Sequence, residues 1–406
     1  MVAEQVTLEG HIIDSDILRK AFTRIVEQGG AFEVREFRVG RTNEEPSFAR
    51  LSVSAPDPRT LDAILESLGY LGATTVVADA SFEPAEADGI LPDEFYSTSN
   101  FATFVRVGGE WKLARGQRMD CAIVLRDGEP VCEKQRRVGR GEPVALRRGG
   151  IRVRPPERTR EAAAAFDFMS NDVSAEVNKG IAIARTAAEM RSTRAAGERI
   201  VAVAGPAVVH SGGDRALARL VRDGWIDVLL SGNAFAVHDL EKAILSTSLG
   251  VCQNSGLAVE GGSRNHLWAI NAVNRAGGVR PAVQSGLVTR GVMCAIVRRD
   301  VPFVLAGSIR DDGPLLDVVT DVLEAQERYA TALEGAGLCL MLASALHAIA
   351  VGNLLPAHVR TVCVDMLESV PVKLANRGTK HAIGLVTDVG CFLERLETEL
   401  GSVQRA

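Results

Sequence analysis

The sequence predicts an α/β protein whose C-terminal half is a parallel β-sheet with helices on both faces. Five short apolar runs predict the strands: residues 201–204, 228–230, 304–306, 362–364 and 385–386. Runs that are apolar at every position, rather than at alternate ones, are typical of parallel strands buried on both sides. Each run ends on a small or polar cluster. Ligands of such sheets bind beyond the carboxyl ends of the strands, so we expect these clusters to line one crevice.

A smaller module precedes this sheet. Alternating polarity predicts strands at residues 6–13 and 47–54, and a helical spacing of apolar residues predicts a helix over 17–27. Further predicted elements are a strand at 34–39, a helix at 59–68 and a strand at 74–78. The order β-α-β-β-α-β predicts an α+β module over residues 1–95, which ends in an acidic, proline-bearing linker at 85–93.

The middle of the chain predicts a β-rich subdomain over residues 96–156. Short β-like runs are separated there by Gly108-Gly109, Asp127-Gly128 and Gly149-Gly150, which are typical of turns. Residues 157–406 then alternate predicted strands with predicted helices. These helices are placed at 177–190, 216–222, 315–334 and 338–351.

Composition limits the class of protein. Apolar residues make up 46% of the chain and charged residues 24%, as in ordinary globular proteins, and the net charge of −5 favours no nucleic-acid partner. The seven cysteines contain no CxxC pair and mostly lie in apolar runs, which predicts reduced, buried thiols and a cytoplasmic location. The chain opens without a signal-peptide pattern, and the apolar stretch 336–351 carries Ser344 and His347, so we expect a buried helix and no membrane partner.

The clusters after the predicted strands carry the candidate chemistry. Residues 307–314 read Gly-Ser-Ile-Arg-Asp-Asp-Gly-Pro, in which Arg310 suits a carboxylate or phosphate and Asp311-Asp312 suit hydroxyls or an amine. No ligand set with metal spacing accompanies them, so no metal is expected. Asp365 and Asp388 end the last two predicted strands, where an acid commonly binds a ribose diol. The alternative to a ligand site at residues 307–314 is a turn held together by salt bridges.

Three other polar groups have plainer alternatives. Lys373 follows Asp365 by one short loop and is either a base or a solvated lysine. His238-Asp239, expected to begin a helix, offers a histidine that is either catalytic or structural. His266 lies in the polar turn 261–266, which is either a ligand loop or a plain connection. The stretch 200–220 reads as strand, glycine loop and helix but lacks GxGxxG and the Walker pattern.

Several strings together resemble one known family. They are AGPAVVHSGG, LLSGNAFAVHDLE, TSLGV, GGSRNHLWAIN, VPFVLAGSIRDDGPLLDV, LHAIAVGNLLP, VDMLESVPVKLANRG and VTDVG. Over residues 5–395 the chain resembles the archaeal-type (alternative) ornithine cyclodeaminases, and it is similar to the C-terminal part of the cyanobacterial arginine dihydrolase/ornithine cyclodeaminase. The N-terminal module resembles the region named for lysine-oxoglutarate reductase/saccharopine dehydrogenase (LOR/SDH) enzymes. The second half resembles the deoxyhypusine-synthase type of Rossmann-like NAD fold.

The resemblance implies an NAD-dependent lyase of amino-acid metabolism and proline biosynthesis. Internal hydride transfer would convert L-ornithine to L-proline and ammonia. By position, the resemblance assigns NAD contacts to Asn233, Ala234, Asp312, Ser344, Ala345, Leu346, His347, Asp365, Asp388 and Val389. The chain departs from the family pattern at 376–379, where Asn-Arg-Gly-Thr replaces the usual Asp-Arg-Gly-Ser, and at 168–177.

Catalytic roles are open among four residues. Arg310 is a candidate clamp for the substrate carboxylate. Lys373, His266 or Asp311 is a candidate base for the substrate amine, and Asp311 is also a candidate partner of the distal ammonium. Two alternatives to ornithine cyclodeamination remain: an NAD-dependent dehydrogenase or cyclodeaminase of another basic or opine-like amino acid, and a non-catalytic sensor of NAD or an amino acid. The long apolar helices favour a homodimer or homotetramer.

Overall fold

The computed structural model describes most of the chain, in two compact units. The described residues are 2–13, 15–41, 45–69, 71–74, 79–146, 149–154, 179–248, 251–252, 265–311, 314–376 and 382–402. The first unit comprises residues 1–171 and 356–358, and the second comprises 172–355 and 359–406. The domain boundaries at 95 and 156 stay predictions.

The first unit begins with an antiparallel sheet and two helices. Its elements are β1 (Val2–Gly10), α1 (Ile17–Glu27), β2 (Ala31–Arg38), β3 (Ser47–Ala55) and α2 (Pro58–Gly69). The strand order is β1-β3-β2, and alternate side chains of β3 are buried. Ile17, Ala21 and Ile25 lie four residues apart on one face of α1, so this face packs into the same core as Leu51 and Ile64.

The rest of the first unit is built of short antiparallel strands. They are β4 (Phe82–Pro84), β5 (Ala102–Val107), β6 (Glu110–Leu113), β7 (Ala122–Arg126), β8 (Glu129–Glu133), β9 (Pro143–Ala145) and β10 (Ile151–Arg154), in sheets ordered β4-β9-β7-β8 and β10-β5-β6. The predicted linker at 85–93 is wrong, because Ala85 and Leu91 are buried against Val124 and Val144. The segment is acidic and contains proline, as a linker would, but two of its side chains belong to a core.

The second unit is an α/β domain around a seven-stranded parallel sheet. Its sheet strands are β11 (Arg199–Ala204), β12 (Val228–Gly232), β15 (Phe303–Ala306), β16 (Val318–Val319), β17 (Ala336–Leu342), β18 (Arg360–Asp365) and β19 (Ala382–Val386). A separate hairpin pairs β13 (Thr247–Ser248) with β14 (Val251–Cys252). The helices are α3 (Lys179–Ala195), α4 (Ala207–His210), α5 (Asp214–Arg222), α6 (Asn233–Leu245), α7 (Asn265–Arg275), α8 (Val279–Gln284), α9 (Val292–Arg298), α10 (Val322–Ala332), α11 (Ala345–Leu354), α12 (Ser369–Asn376) and α13 (Val389–Ser402).

Helices cover both faces of this sheet. In β11, Ile200 and Ala202 belong to the core beneath α3, α5, α6, α9 and α13, whereas Val201 and Val203 belong to the core beneath α10, α11 and α12. Successive residues of a strand point to opposite faces, so every position must be apolar when both faces are covered. This explains the continuous apolar runs from which the sheet was predicted.

The strand order is β16-β15-β12-β11-β17-β18-β19. The chain proceeds from β11 outward through β12, β15 and β16, then returns to the other side of β11 with β17. The carboxyl ends of β11 and β17 therefore flank the point at which the winding direction reverses, which is where open α/β sheets bind ligands.

The helix predicted over 338–351, within the apolar stretch 336–351, is wrong in its first half. Residues 336–342 form β17, whose seven residues are all buried, and α11 begins only at Ala345. A fully buried strand and a buried helix give the same uninterrupted apolar pattern, so the sequence did not separate them. Ala343, at φ 49°, makes the turn between them.

Two other helix predictions also need correction. The helix predicted over 315–334 is confined to α10, because Asp321 accepts hydrogen bonds from the N–H groups of Leu323 and Glu324 and starts the helix there. His238-Asp239 does not begin a helix, since α6 begins five residues earlier, at Asn233. Among the described residues, no helix is both long and apolar enough to cross a membrane.

Candidate active site

The parallel sheet gathers the predicted polar clusters at its carboxyl edge. Gly205 follows β11, Asn233 follows β12, Ser344 follows β17 by two residues, and Asp365 is the last residue of β18. Asp388 follows β19 by two residues. All these strands are parallel, so their ends face the same way and form one edge.

The backbones after β11 and β17 approach each other closely. The Gly205 N–H donates a hydrogen bond to the Leu342 carbonyl oxygen at 2.9 Å, and a Cβ atom on Gly205 would overlap the carbonyl oxygen of Ala343. Ala343 holds a left-handed conformation that is rare for alanine. The two backbone segments therefore pack directly against each other beside the reversal point, and residue 205 has no room for a side chain.

Asn233 joins the end of β12 to the loop that follows β15. Its buried Oδ1 accepts a hydrogen bond from the Leu315 N–H at 3.2 Å. Beside it, the Ser231 hydroxyl donates to the Ala204 carbonyl oxygen at 2.5 Å. Ala234, the next residue, is exposed. The Asn233 amide therefore holds the loop that follows β15. The helix α6 begins at this same residue, at the carboxyl edge of the sheet.

The loop after β15 carries Arg310 and Asp311. Asp311 Oδ2 accepts a hydrogen bond from the Ser308 N–H at 2.8 Å, and the Arg310 N–H donates to Ser308 Oγ at 3.1 Å. These bonds close a tight turn and leave Arg310 exposed. Asp312 lies outside the described residues.

The acids at the ends of β18 and β19 each organise the turn that follows. Asp365 Oδ1 accepts from the Leu367 N–H at 2.9 Å, and Asp388 Oδ1 accepts from the Cys391 N–H at 2.8 Å in the first turn of α13. Val389 is buried beneath that turn. Among the described residues each carboxylate has this one bond to the turn, and a carboxylate can accept further hydrogen bonds, for example from a ligand hydroxyl.

The residues after β17 combine one buried and two exposed side chains. Ser344 is buried and makes no side-chain bond to the start of α11. Ala345 and Leu346 are exposed on the first turn of that helix. Large apolar side chains are exposed around the same strand ends: Ile309, Leu316, Leu346, Met366 and Leu367. An apolar rim around a few polar groups is typical of a small-molecule site.

His347 and Tyr329 form a pair over the end of β12. The Tyr329 hydroxyl lies 2.6 Å from the Ser231 carbonyl oxygen and 3.3 Å from His347 Nδ1. A Cβ atom on Gly232 would overlap His347 Nε2. Burial raises the pKa of Tyr329, and burial lowers the pKa of His347 while the charge of Asp311 acts to raise it. Both side chains are therefore neutral at pH 7.

A second polar cluster lies on the other face of the sheet. His238 Nδ1 lies 3.1 Å from Glu241 Oε2, and Glu241 Oε1 accepts from the Thr247 hydroxyl at 2.8 Å. Asn265 Nδ2 donates to that hydroxyl at 2.8 Å. The cluster ties α6, β13 and the start of α7 together. His210 stacks edge-on against His238 at 4.8 Å, and burial, with a smaller effect of His238, lowers the pKa of His210 to about 4.

Lys373 and His266 both lie on helices, and their catalytic roles stay predictions. Lys373 lies exposed on α12, and His266 lies half-buried in the first turn of α7. Sequence reasoning missed Tyr329, which no motif marks, and it quoted Glu241 within LLSGNAFAVHDLE without assigning it a role. Only the tertiary approach of α10 to β12, and of α6 to the hairpin, reveals them.

The edge fits a dinucleotide in its chemistry. Asn233, Ser344, Asp365 and Asp388 place an amide, a hydroxyl and two carboxylates at the strand ends of one sheet, where acidic residues commonly accept hydrogen bonds from a ribose. Among the described residues no cluster of His, Cys, Asp and Glu side chains has metal-binding geometry.

Comparison with known proteins agrees with this architecture. Residues 184–396 match the model of the arginine dihydrolase ArgZ-like C-terminal Rossmann fold, and 102–183 match the first region of the same C-terminal part. Residues 3–101 match the conserved region of LOR/SDH bifunctional enzymes. The second unit is thus a Rossmann-fold domain.

Full-length relatives include an ornithine cyclodeaminase from Archaeoglobus fulgidus, 46% identical over 405 residues, which cover 100% of this chain and 99% of the relative.

The apo structure of ArgZ, a cyanobacterial arginine dihydrolase, superposes with a TM-score of 0.85 at 39% identity. AgrE, a bifunctional arginine dihydrolase/ornithine cyclodeaminase of Nostoc that was solved with ornithine and NAD⁺, gives a TM-score of 0.55 at 41% identity. Both structures match all of this chain, which covers 59% of ArgZ and 58% of AgrE. On its fold, its strand-end residues and its full-length likeness to these enzymes, the chain belongs to the archaeal-type ornithine cyclodeaminase family.

Proposed function

We propose that this protein is an NAD-dependent ornithine cyclodeaminase that converts L-ornithine to L-proline and ammonia. The observation that carries the proposal is the carboxyl edge of the parallel sheet, where Asn233, Ser344, Asp365 and Asp388 lie at the strand ends beside the reversal point. A relative of the same fold was solved with ornithine and NAD⁺ together.

The polar edge residues would hold the cofactor. Asp365 and Asp388 are proposed to accept hydrogen bonds from ribose hydroxyls, and Ser344 and the backbone after Gly205 to bind the phosphates. The exposed apolar rim, including Leu346 and Met366, would cover the ring systems. Bound NAD⁺ supplies the ability to remove a hydride from the substrate α-carbon and to return it later.

The loop after β15 would bind the amino acid. Arg310 is proposed to clamp the substrate carboxylate with two parallel hydrogen bonds, and Asp311 to attract the distal ammonium. Holding both ends of the substrate brings its δ-amine near its α-carbon, so that ring closure is intramolecular. Lys373 and His266 are the remaining candidates for the base that the sequence offered.

The substrate and product are tested on the purified full-length chain. Incubation with L-ornithine and a trace of NAD⁺ is expected to yield ammonia and proline in equal amounts, with no lasting absorbance of NADH. The amounts of ammonia and proline should be equal and no NADH should accumulate, because the hydride returns to the substrate within one turnover. Accumulating NADH would favour a dehydrogenase, and no release of either product would contradict the proposal.

We also propose a cytoplasmic homodimer or homotetramer. The described thiols of Cys121, Cys132, Cys294, Cys339 and Cys363 are free and buried, which suits a reducing compartment. Trp268 and Leu267 are exposed on α7 and would suit a subunit contact. Light scattering on the purified protein measures the number of subunits.

A further inference from the structure

Strand β2 forms one edge of the N-terminal sheet. The strand order is β1-β3-β2, and in the described part of the chain no other strand pairs with the free side of β2. The N–H and C=O groups along such an edge can form hydrogen bonds with a strand of another chain. Proteins often prevent this by placing inward-pointing charges at the edge, so the side chains of β2 indicate whether the edge is protected or suits a partner strand.

Apolar side chains of β2 are exposed on the face that carries the helices. Val34 lies opposite Leu51 of β3, which is buried in the core shared with α1 and α2. Phe37 lies opposite Ala49, which is buried in the same core. Cross-strand neighbours point to the same face, so Val34 and Phe37 also point there, yet they are 45% and 44% exposed. Val26 of α1, the helix that packs on β2, is 61% exposed. A strand added to this edge would bury these apolar groups.

The charged side chains of β2 share the opposite, outer face. Arg35 pairs with Glu33 at 2.9 Å, and Arg38 pairs with Glu36 at 3.2 Å. Glu36 also pairs at 3.2 Å with Arg50, its exposed neighbour on β3. Adjacent residues of a regular strand point to opposite faces, but the pairing of β2 with β3 shifts at Arg35. This β-bulge explains why Arg35 and Glu36 lie on the same face although they are adjacent.

The order of these charges makes β2 complementary to itself. Two copies of β2 can run antiparallel about a two-fold axis that passes between residues 35 and 36. Glu33 of each copy then lies opposite Arg38 of the other copy. Arg35 lies opposite Glu36 in the same arrangement, so every charge meets an opposite charge. A shift by one residue would instead place Arg35 opposite Arg35 or Glu36 opposite Glu36, which is unfavourable.

We propose that β2 pairs antiparallel with β2 of a second copy of this chain, which joins the two three-stranded sheets into one sheet of six strands. In this register Val34 of each copy lies opposite Phe37 of the other, on the face that carries the helices. Backbone hydrogen bonds and buried apolar area supply the affinity. The charge pairs select the register, since exposed ion pairs contribute little affinity by themselves. The inference goes beyond the proposed function, because it assigns a surface to subunit association and does not depend on the reaction.

Charge reversal tests this pairing on the full-length protein. Arg38→Glu places two carboxylates opposite each other, twice in each dimer, and Glu33→Arg does the same with two guanidinium groups. Each variant alone should form a smaller assembly than the wild type, with a dissociation constant raised roughly 10- to 100-fold in analytical ultracentrifugation. An equal mixture of the two variants should associate again, because a pair with one copy of each has opposite charges at both positions.

Recovery in the mixture is specific to contact between the copies. Within one chain residues 33 and 38 are five positions apart on a strand, about 15 Å, so they do not pair with each other. Asp62→Arg reverses a charge at an exposed position of α2 and is the control, which should associate as the wild type does. Circular dichroism of every variant should match the wild type, since the changed side chains are exposed.

The other outcomes contradict the inference. A wild type that remains monomeric overturns it, and so do single variants that associate as tightly as the wild type. Two dissociated variants that stay apart when mixed overturn the proposed register. None of these measurements involves ornithine or NAD⁺, so a failure here is distinct from a failure of the proposed function.

Discussion

At the scale of single residues, burial decides the ionisation of several groups in the second unit. Asp239 accepts hydrogen bonds from the N–H groups of Val292 and Met293, at 2.9 and 2.8 Å, and so caps α9. Burial raises the pKa of Asp239 from 3.8 to about 7, although these two bonds act in the opposite direction. Between these two pKa values the folded state therefore keeps a proton on Asp239 that the unfolded state has released.

Substitution Asp239→Asn tests this linkage. Between pH 4 and pH 7 the folded wild type holds more protons than the unfolded chain, so the contribution of Asp239 to the free energy of unfolding falls as the pH rises. The variant cannot titrate, and its amide leaves one N–H of α9 without an acceptor, which costs about 1–3 kcal/mol. Urea unfolding should show a difference in the free energy of unfolding between the two proteins that is widest near pH 4 and narrows toward pH 7.

Asp223→Asn, at an exposed position after α5, is the matched control and should follow the wild type at each pH. Parallel pH profiles for the wild type and Asp239→Asn would show that Asp239 is ionised throughout this range.

At the scale of elements, the junctions between strands and helices shape the edge of the sheet. The turn after β17 brings the Ala343 carbonyl oxygen against Gly205, and the bond from the Gly205 N–H to Leu342 extends the pairing of β11 with β17 by one residue. Asp388 and Asp321 start α13 and α10 by accepting backbone N–H bonds. These junctions fix where each helix leaves the edge.

Gly205→Ala is expected to destabilise the protein. The added methyl group meets a backbone carbonyl rather than a flexible side chain, so β11 and β17 must move apart, at a cost of about 1–3 kcal/mol or more. Chemical denaturation measures the loss. Gly401→Ala, in α13 with open space around its Cβ position, is the control and should be neutral or stabilising by up to about 1 kcal/mol. Equal stability of the two variants would contradict the close approach at the reversal point.

At the scale of the whole molecule, negative charge at the edge is expected to select the cofactor. The chain has a net charge of −5, and Asp365 and Asp388 both lie at strand ends of the proposed site. A carboxylate that binds a ribose diol repels the 2′-phosphate of NADP⁺. The protein should therefore discriminate between the two dinucleotides by charge.

Thermal unfolding measures this discrimination. NAD⁺ at about a hundred times its dissociation constant should add about 2.7 kcal/mol of stability and raise Tm, whereas NADP⁺ at the same concentration should raise it less. Asp365→Asn keeps the Oδ1 acceptor for the Leu367 N–H but removes the charge, so the difference between the dinucleotides should shrink. Asp223→Asn should retain the full difference. A larger shift with NADP⁺ than with NAD⁺ would refute the proposed role of these acids.

The sequence predicted the family, the Rossmann class of the second unit and the strands on which its edge is built. Runs such as 201–204 are readable because burial on both faces demands apolar residues at every position. The same uniform burial is the reason that β17 was not recognised as a strand. Its residues are as apolar as those of a buried helix, so β17 was predicted as part of a helix.

By itself, then, the sequence determined the parallel sheet and the residues that end its strands, because local patterns of polarity record which positions are buried. The assembly of the candidate site was decided only by the tertiary structure. Tyr329 meets His347 and Ser231 through the packing of α10 and α11 over β12, and Gly205 meets Ala343 where the winding reverses. Contacts between residues far apart in the chain depend on how the elements pack, and no short stretch of sequence encodes that packing.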